Sequence, residues 1–121
     1  MQPLPPHLPG YPGSHVNKVA VDFYASEYDS GYDLSTMVAI ADNASPPKKL
    51  GIWEMGVTLT NTVPSMSQIT SYFSYVQSVM AGRLQAGKSN AEIVWFNGGL
   101  NNISNETYLP GLWAGLVAAT S

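Results

Sequence analysis

Glu54 interrupts an apolar run. Leu50-Gly51-Ile52-Trp53 precede it and Met55-Gly56 follow. A carboxylate in such a run is costly unless it is hydrogen-bonded or opens onto water. Asp22 poses the same question inside Val19-Ala20-Val21-Asp22-Phe23-Tyr24, and Tyr24 stands two residues beyond it. A third run, Ile93-Val94-Trp95-Phe96-Asn97, closes on an indole and an amide. Carboxylates beside a phenol can stabilise a developing positive charge or attack an electrophilic carbon. Each residue also has a plain structural reading. Glu54 could be a strand-end acid facing solvent, and Asp22 could cap a turn or bind a backbone amide. Trp53, Trp95 and Tyr24 could be packing residues.

The elements that would position these groups alternate along the chain. Three β-branched and aromatic runs predict strands near 18–25, 49–55 and 92–97. Between the first two, Leu34, Met37, Val38 and Ala41 recur at helical spacing, which predicts a helix over 33–44 with Asp33 as N-cap and Pro46-Pro47 as its stop. Ser65-x-x-Gln68 has the pattern of a capping box. It opens the strongest helix, whose stripe is Ile69, Tyr72, Phe73, Val76, Val79, Met80 and Leu84, with Gly87 as the stop. A short last helix is predicted over 108–120. The order β-α-β-α-β-α implies parallel strands. Strict alternation along each strand groups Ala20 with Asp22 and Tyr24, Leu50 with Ile52 and Glu54, and Ile93 with Trp95 and Asn97. The C-terminal ends of three strands would then deliver Asp22, Tyr24, Glu54, Trp95 and Asn97 to one mouth, where parallel α/β folds place their chemistry.

Composition narrows the ligand. The 121 residues are one domain's worth, 45% hydrophobic but only 11% charged, with a net charge of -3. Lys48-Lys49 is the sole basic pair, so phosphate neutralisation is poorly supported and no nucleic-acid partner is expected. No apolar run approaches the roughly 18 residues of a membrane span. Cys is absent, and His7 and His15 have no acidic partners at ligand spacing, so no metal or other cofactor is expected. Gly98-Gly99 makes no phosphate-binding glycine motif. Residues 1–13, MQPLPPHLPGYPG, hold five of the nine prolines and read as an extended lead-in to a domain over 14–121. They have neither the basic start nor the apolar stretch of a secretory signal.

Three parallel strands make a poor domain, because both edges stay open. They could form a small open α/β sandwich, or three of the eight units of a (β/α)8 barrel. YPGSHVNKVAVDFY (11–24), then GIWEMG (51–56), then VWFNG (94–98) resembles the last three βα units of clan-A glycoside hydrolases, with the family 26 β-mannanase group as the nearest likeness. Those enzymes carry a YPGD-x-YVD-x-VG-x-D-x-Y segment around strand six, an E-x-G-like strand seven with the nucleophile, and a strand eight ending in Trp. Ser14 and Asn17 depart from Asp in that pattern.

The resemblance implies a partial TIM barrel and a retaining hydrolase acting on a neutral, mannan-like β-linked polysaccharide. Glu54 would be the nucleophile and Tyr24 its hydrogen-bond donor. Trp95 would be a platform for a sugar face, with Asn97, Asp22 and Trp53 as further substrate-binding residues. It also implies an extracellular protein. Retaining hydrolysis needs a second carboxyl group about 5–5.5 Å from the nucleophile. In this clan that acid/base ends strand four, in the N-terminal barrel portion that this chain lacks, and Glu27 and Asp29 are poor substitutes. The alternatives are a non-catalytic carbohydrate-binding or interaction module, and a small α/β domain without a site.

Overall fold

The three apolar runs form three parallel strands. The computed structural model describes residues 16–121. The proline-rich lead-in, with Ser14, His7 and His15, lies outside them. The strands are β1 (Lys18–Tyr24), β2 (Lys49–Gly56) and β3 (Asn90–Trp95), hydrogen-bonded in the order β1-β2-β3. Four helices join and follow them: α1 (Ala25–Asp29), α2 (Ser35–Asn43), α3 (Met66–Gln85) and α4 (Leu109–Thr120). The chain is therefore α/β with a three-stranded parallel sheet.

One face of the sheet carries the core. Val19, Val21 and Phe23 from β1, Leu50, Ile52 and Met55 from β2, and Ile93 and Trp95 from β3 join one cluster with the apolar stripes of the helices. Among the described residues no helix covers the opposite face, which exposes large apolar groups. Trp53 is 52% exposed, Val94 46% and Phe96 48%. Strands adjacent in chain order, with the helical layer on one side, are wound in a single direction rather than doubly.

Strict alternation fails in β2. Val21 pairs with Ile52, but the next residue, Asp22, pairs with Glu54. Trp53 is an extra residue, a β-bulge. The ladder with β3 records the same insertion, since Ile52 pairs with Ile93 and Met55 with Trp95. Leu50 and Ile52 thus face the helices while Glu54 does not, which corrects the face predicted for that set.

The helices form for local reasons. Helix α2 starts later than expected, with Leu34 rather than Asp33 as its N-cap; Asp33, one residue earlier, accepts from Ser35 N at 3.0 Å and Ser35 Oγ at 2.6 Å and orders the turn into the helix. The Ser65–Gln68 capping box is present in both directions. Gln68 N donates to Ser65 Oγ at 3.1 Å, and Ser65 N donates to Gln68 Oε1 at 2.7 Å. At its other end α3 closes through Gly87, whose φ of +80° suits glycine. Helix α1 was not expected, because the strand prediction ran to residue 25. Glu27 Oε1 accepts from Tyr24 N at 3.0 Å and turns the chain directly from strand to helix. Arg83 is buried in the predicted stripe without having been part of it. Its guanidinium reaches Asp42, the carbonyls of Lys48 and Ser89, and Asn90 Oδ1, pinning α2 and α3 to the starts of β2 and β3.

Ser65→Ala removes the side-chain acceptor for the first turn of α3. It is expected to cost about 1 kcal/mol in urea unfolding. An unchanged midpoint would show that the cap does not hold this helix.

Candidate functional site

The bulge places Glu54 on the bare face of the sheet, half-buried, across the β1–β2 ladder from Asp22. Two residues further along β1, Tyr24 pairs with Gly56. The tyrosine ring lies over that glycine. A Cβ on Gly56 would stand 2.5 Å from Tyr24 Cε2 and 2.8 Å from Asn101 Oδ1. The space left by the missing side chain lets the phenol reach back, and Tyr24 Oη donates to Glu54 Oε1 at 2.5 Å. Tyr24 is only 1% exposed. Burial, then the hydrogen bond to Glu54 and its negative charge, with Asp22 and Glu27 adding to it, raise the phenol's pKa well above its ordinary value. The phenol is therefore held protonated, as a donor aimed at one carboxylate oxygen.

The loop behind the pair is fixed by Asn101, one of the asparagines of the stretch LNNISNE (100–106). Its buried side-chain oxygen accepts from Val57 N at 2.6 Å and Thr58 N at 2.7 Å, and its Nδ2 donates to Thr58 O at 2.9 Å. It replaces the ladder that β2 loses beyond Gly56. No local pattern marks it in the sequence, since its neighbour Asn102 looks the same.

Further back on the bare face lies a second polar group. Lys18 Nζ donates to Glu92 Oε1 at 2.7 Å, and Trp53 Nε1 donates to Glu92 Oε2 at 3.2 Å. The pair joins the outer strands β1 and β3 across Gly51 on the middle strand. A Cβ on Gly51 would meet Trp53 Nε1 at 3.0 Å, so the indole also lies where that side chain would be. Hydrogen bonds from Lys18 foremost, with a further one from Trp53, lower the Glu92 carboxyl to about 2.

Four of the predicted residues, Asp22, Tyr24, Trp53 and Glu54, thus share one face. The other two do not join them. Trp95 stacks on Phe73, with ring centroids 5.7 Å apart, and meets Trp113 edge-on. It faces the helices, and its Nε1 donates to Asn101 O at 2.6 Å. Its expected place as a platform on the shared face is corrected, because β3 presents Glu92, Val94 and Phe96 there instead. Asn97 Oδ1 accepts from Ile103 N at 2.6 Å and so orders the loop after β3. Phe96 is the aromatic residue that the sequence reading missed. The pleat phase set by Glu92 would have found it.

Other acids near the pair are engaged elsewhere. Glu27 holds the Tyr24 amide, and Asp29 accepts from Gln68 Nε2 at 2.9 Å. Among the described residues no three His, Asp or Glu side chains gather as a metal site requires, and no helix is long and apolar enough to cross a membrane. Clefts of about 530, 440 and 580 Å3 open between the helices and the rim loops, and neither Tyr24 nor Glu54 lines them. Compared with protein-family models, with curated proteins and with solved structures, the chain matches none.

Two outcomes follow from this geometry. Gly56→Ala forces the tyrosine ring and the Asn101 amide aside and is expected to cost about 1–3 kcal/mol in urea unfolding. A midpoint equal to that of the unchanged protein would mean that the close approach is not needed. Glu92 has a folded pKa below its unfolded one, so its contribution to stability is present above the ordinary carboxylate range and is lost as pH falls toward about 2. NMR titration of its side chain should find that low midpoint, and Lys18→Met should move it up. A midpoint insensitive to Lys18→Met would refute the assignment.

Proposed function

We propose that residues 14–121 are the last three βα units of a retaining glycoside hydrolase barrel, with Glu54 as the nucleophile. The observation that supports this best is the Tyr24–Glu54 hydrogen bond on the bare face of a singly wound parallel sheet. That face corresponds to the interior of a closed (β/α)8 barrel, and Tyr24 and Glu54 sit at the C-terminal ends of their strands, where barrel enzymes do their chemistry. Resemblance of the strand-end residues to the family 26 β-mannanase group supplies the reaction class. In this reading a β-linked, mannan-like polysaccharide is the substrate, the protein works outside the cell, and the acid/base belongs to strand four.

The roles follow from charge. One Glu54 oxygen attacks the anomeric carbon as the bond to the leaving oxygen breaks, and a covalent glycosyl ester forms. Tyr24 donates to Oε1, keeps the carboxylate oriented, and leaves Oε2 as the attacking atom. The developing positive charge on the sugar ring lies beside Glu54 and Asp22, which stabilise it. Half-exposed Trp53 and Phe96 offer faces to the apolar side of a pyranose.

The test separates the nucleophile from the acid. A fluoride leaving group departs without protonation, so 2-deoxy-2-fluoro-β-mannosyl fluoride needs only the nucleophile. Glu54 attacks C1, the C1–F bond breaks, fluoride leaves with the electron pair, and the 2-fluorine slows hydrolysis of the ester. Mass spectrometry of the full chain should show one deoxyfluoromannosyl adduct, mapped to Glu54 and absent from Glu54→Gln. Tyr24→Phe should slow its formation. No adduct, or an adduct elsewhere, would sink the proposal.

A further inference from the structure

Two of the clefts are neighbours and share three residues, Asp29, Tyr32 and Gln68. They lie at the rim where α1, the turn into α2 and the start of α3 meet, and where the loop after β2 approaches. Their volumes, about 530 and 440 Å3, fall within the roughly 300–1,000 Å3 of small-molecule sites. The floor of the larger is rigid, because Tyr28 and Tyr75 stack at 4.8 Å and Tyr75 Oη accepts from Leu34 N at 2.8 Å. The Gln68–Asp29 hydrogen bond fixes the wall between α1 and α3.

Tyr32 stands between the two clefts. It is 66% exposed, and among the described residues no hydrogen bond or ring contact engages its side chain. Gly31, with φ of +102°, makes the turn that presents it. An aromatic residue in this position is unexplained by packing. Among the described residues no Lys, Arg or His lines either cleft, while Glu27, Asp29 and Asp33 do. Carboxylates without a cation repel phosphate, sulfate and acidic polymers. They accept hydrogen bonds from hydroxyl groups well, and the hydroxyls of Ser67 and Ser71 in one cleft and of Thr62 in the other can bind sugar hydroxyls in either sense.

We infer that these joined clefts bind a neutral glycan chain, with Tyr32 stacked on a sugar face at their centre and the chain extending into the cleft on either side. This is a binding site separate from the Tyr24–Glu54 pair, on the helical rim rather than the bare sheet face. The choice of a β-mannan-type polymer rests on the proposed function, whereas the cleft's preference for uncharged hydroxyl-rich ligands does not.

Affinity electrophoresis of the full chain in native gels containing galactomannan tests it. The unchanged protein and Tyr32→Phe should be retarded. Tyr32→Ala, which alters no charge, should bind at least about tenfold more weakly, while its labelling by the fluoride reagent stays unchanged. Retardation should persist in added salt, because the ligand is uncharged. Equal retardation of Tyr32→Ala, or none for the unchanged protein, overturns the inference. So does binding of oligolysine in place of galactomannan, which would mark the clefts as a site for a basic peptide. The two readings fail separately: an absent adduct on Glu54 counts against the nucleophile alone, and lost retardation counts against the clefts alone.

Discussion

A single inserted residue decides which way the Glu54 carboxylate points. Between Ile52 and Met55, both seated in the core, strand geometry allows one outward residue. Two are present, Trp53 and Glu54, and the ladders on both sides absorb the difference as a bulge. Without it either Glu54 or Met55 would change faces. A carboxylate among Leu50, Ile52 and Phe73 would be desolvated with no partner in reach, at a cost of several kcal/mol. The apolar residues on each side therefore enforce the bulge, and the bulge sets Glu54 where the Tyr24 hydroxyl can meet it. Bulges of this kind re-aim side chains next to active sites in many folds.

The bare face is the second constraint. Parallel sheets are normally covered on both sides, yet here the helices gather against one side, and Trp53, Val94 and Phe96 stay about half exposed on the other. The polar groups on that face are not scattered. Lys18, Glu92 and the Trp53 indole make one knot over Gly51; Tyr24, its ring over Gly56, and Glu54 make another, with Asp22 across the ladder from Glu54. Both glycines sit on the middle strand, and each leaves room for side chains from its neighbours. Closure into a barrel would put both knots in its interior, the first as a deep ion pair and the second near the mouth, which is the arrangement the proposed function requires.

Most of the fold was legible in the sequence. Strand spans came from β-branched and aromatic runs and helix spans from the helical period, and the capping box at Ser65 and the stop at Gly87 came from local hydrogen-bonding chemistry. Those signals are carried by residues close in sequence. The carboxylate at Glu54 was legible too, because a charged group in an apolar run must find a partner, whereas its pairing with Tyr24 was implied only by the resemblance of the strand ends. Pleat phase was not. Alternation counted from Leu50 gives the wrong face beyond Trp53, since a bulge leaves no mark in residue types alone. Arg83 and Asn101 were missed for a related reason: Asp42 and the Lys48 carbonyl, which receive Arg83, and the Val57 and Thr58 amides, which bind Asn101, come from segments distant in sequence, so no local pattern indicates burial.

Trp95 shows why the phase matters for function. Its position at the end of β3 suggested a sugar platform, but its ring packs between Phe73 and Trp113 on the helical side. It is nonetheless tied to the candidate site from behind. Its indole N–H holds the carbonyl of Asn101, and the Asn101 side chain holds the amides of Val57 and Thr58. Those amides follow directly on Gly56, the residue beneath the Tyr24 ring. A continuous set of packed and hydrogen-bonded groups therefore runs from the helical layer through β3 to the Tyr24–Glu54 pair. A phenol held 2.5 Å from a carboxylate oxygen needs backing of this kind, because a shift of the loop by a fraction of an ångström would lengthen and misalign the hydrogen bond. Trp95 thus backs the Tyr24–Glu54 pair from the helical side, and on the bare face the exposed aromatic surface belongs to Phe96.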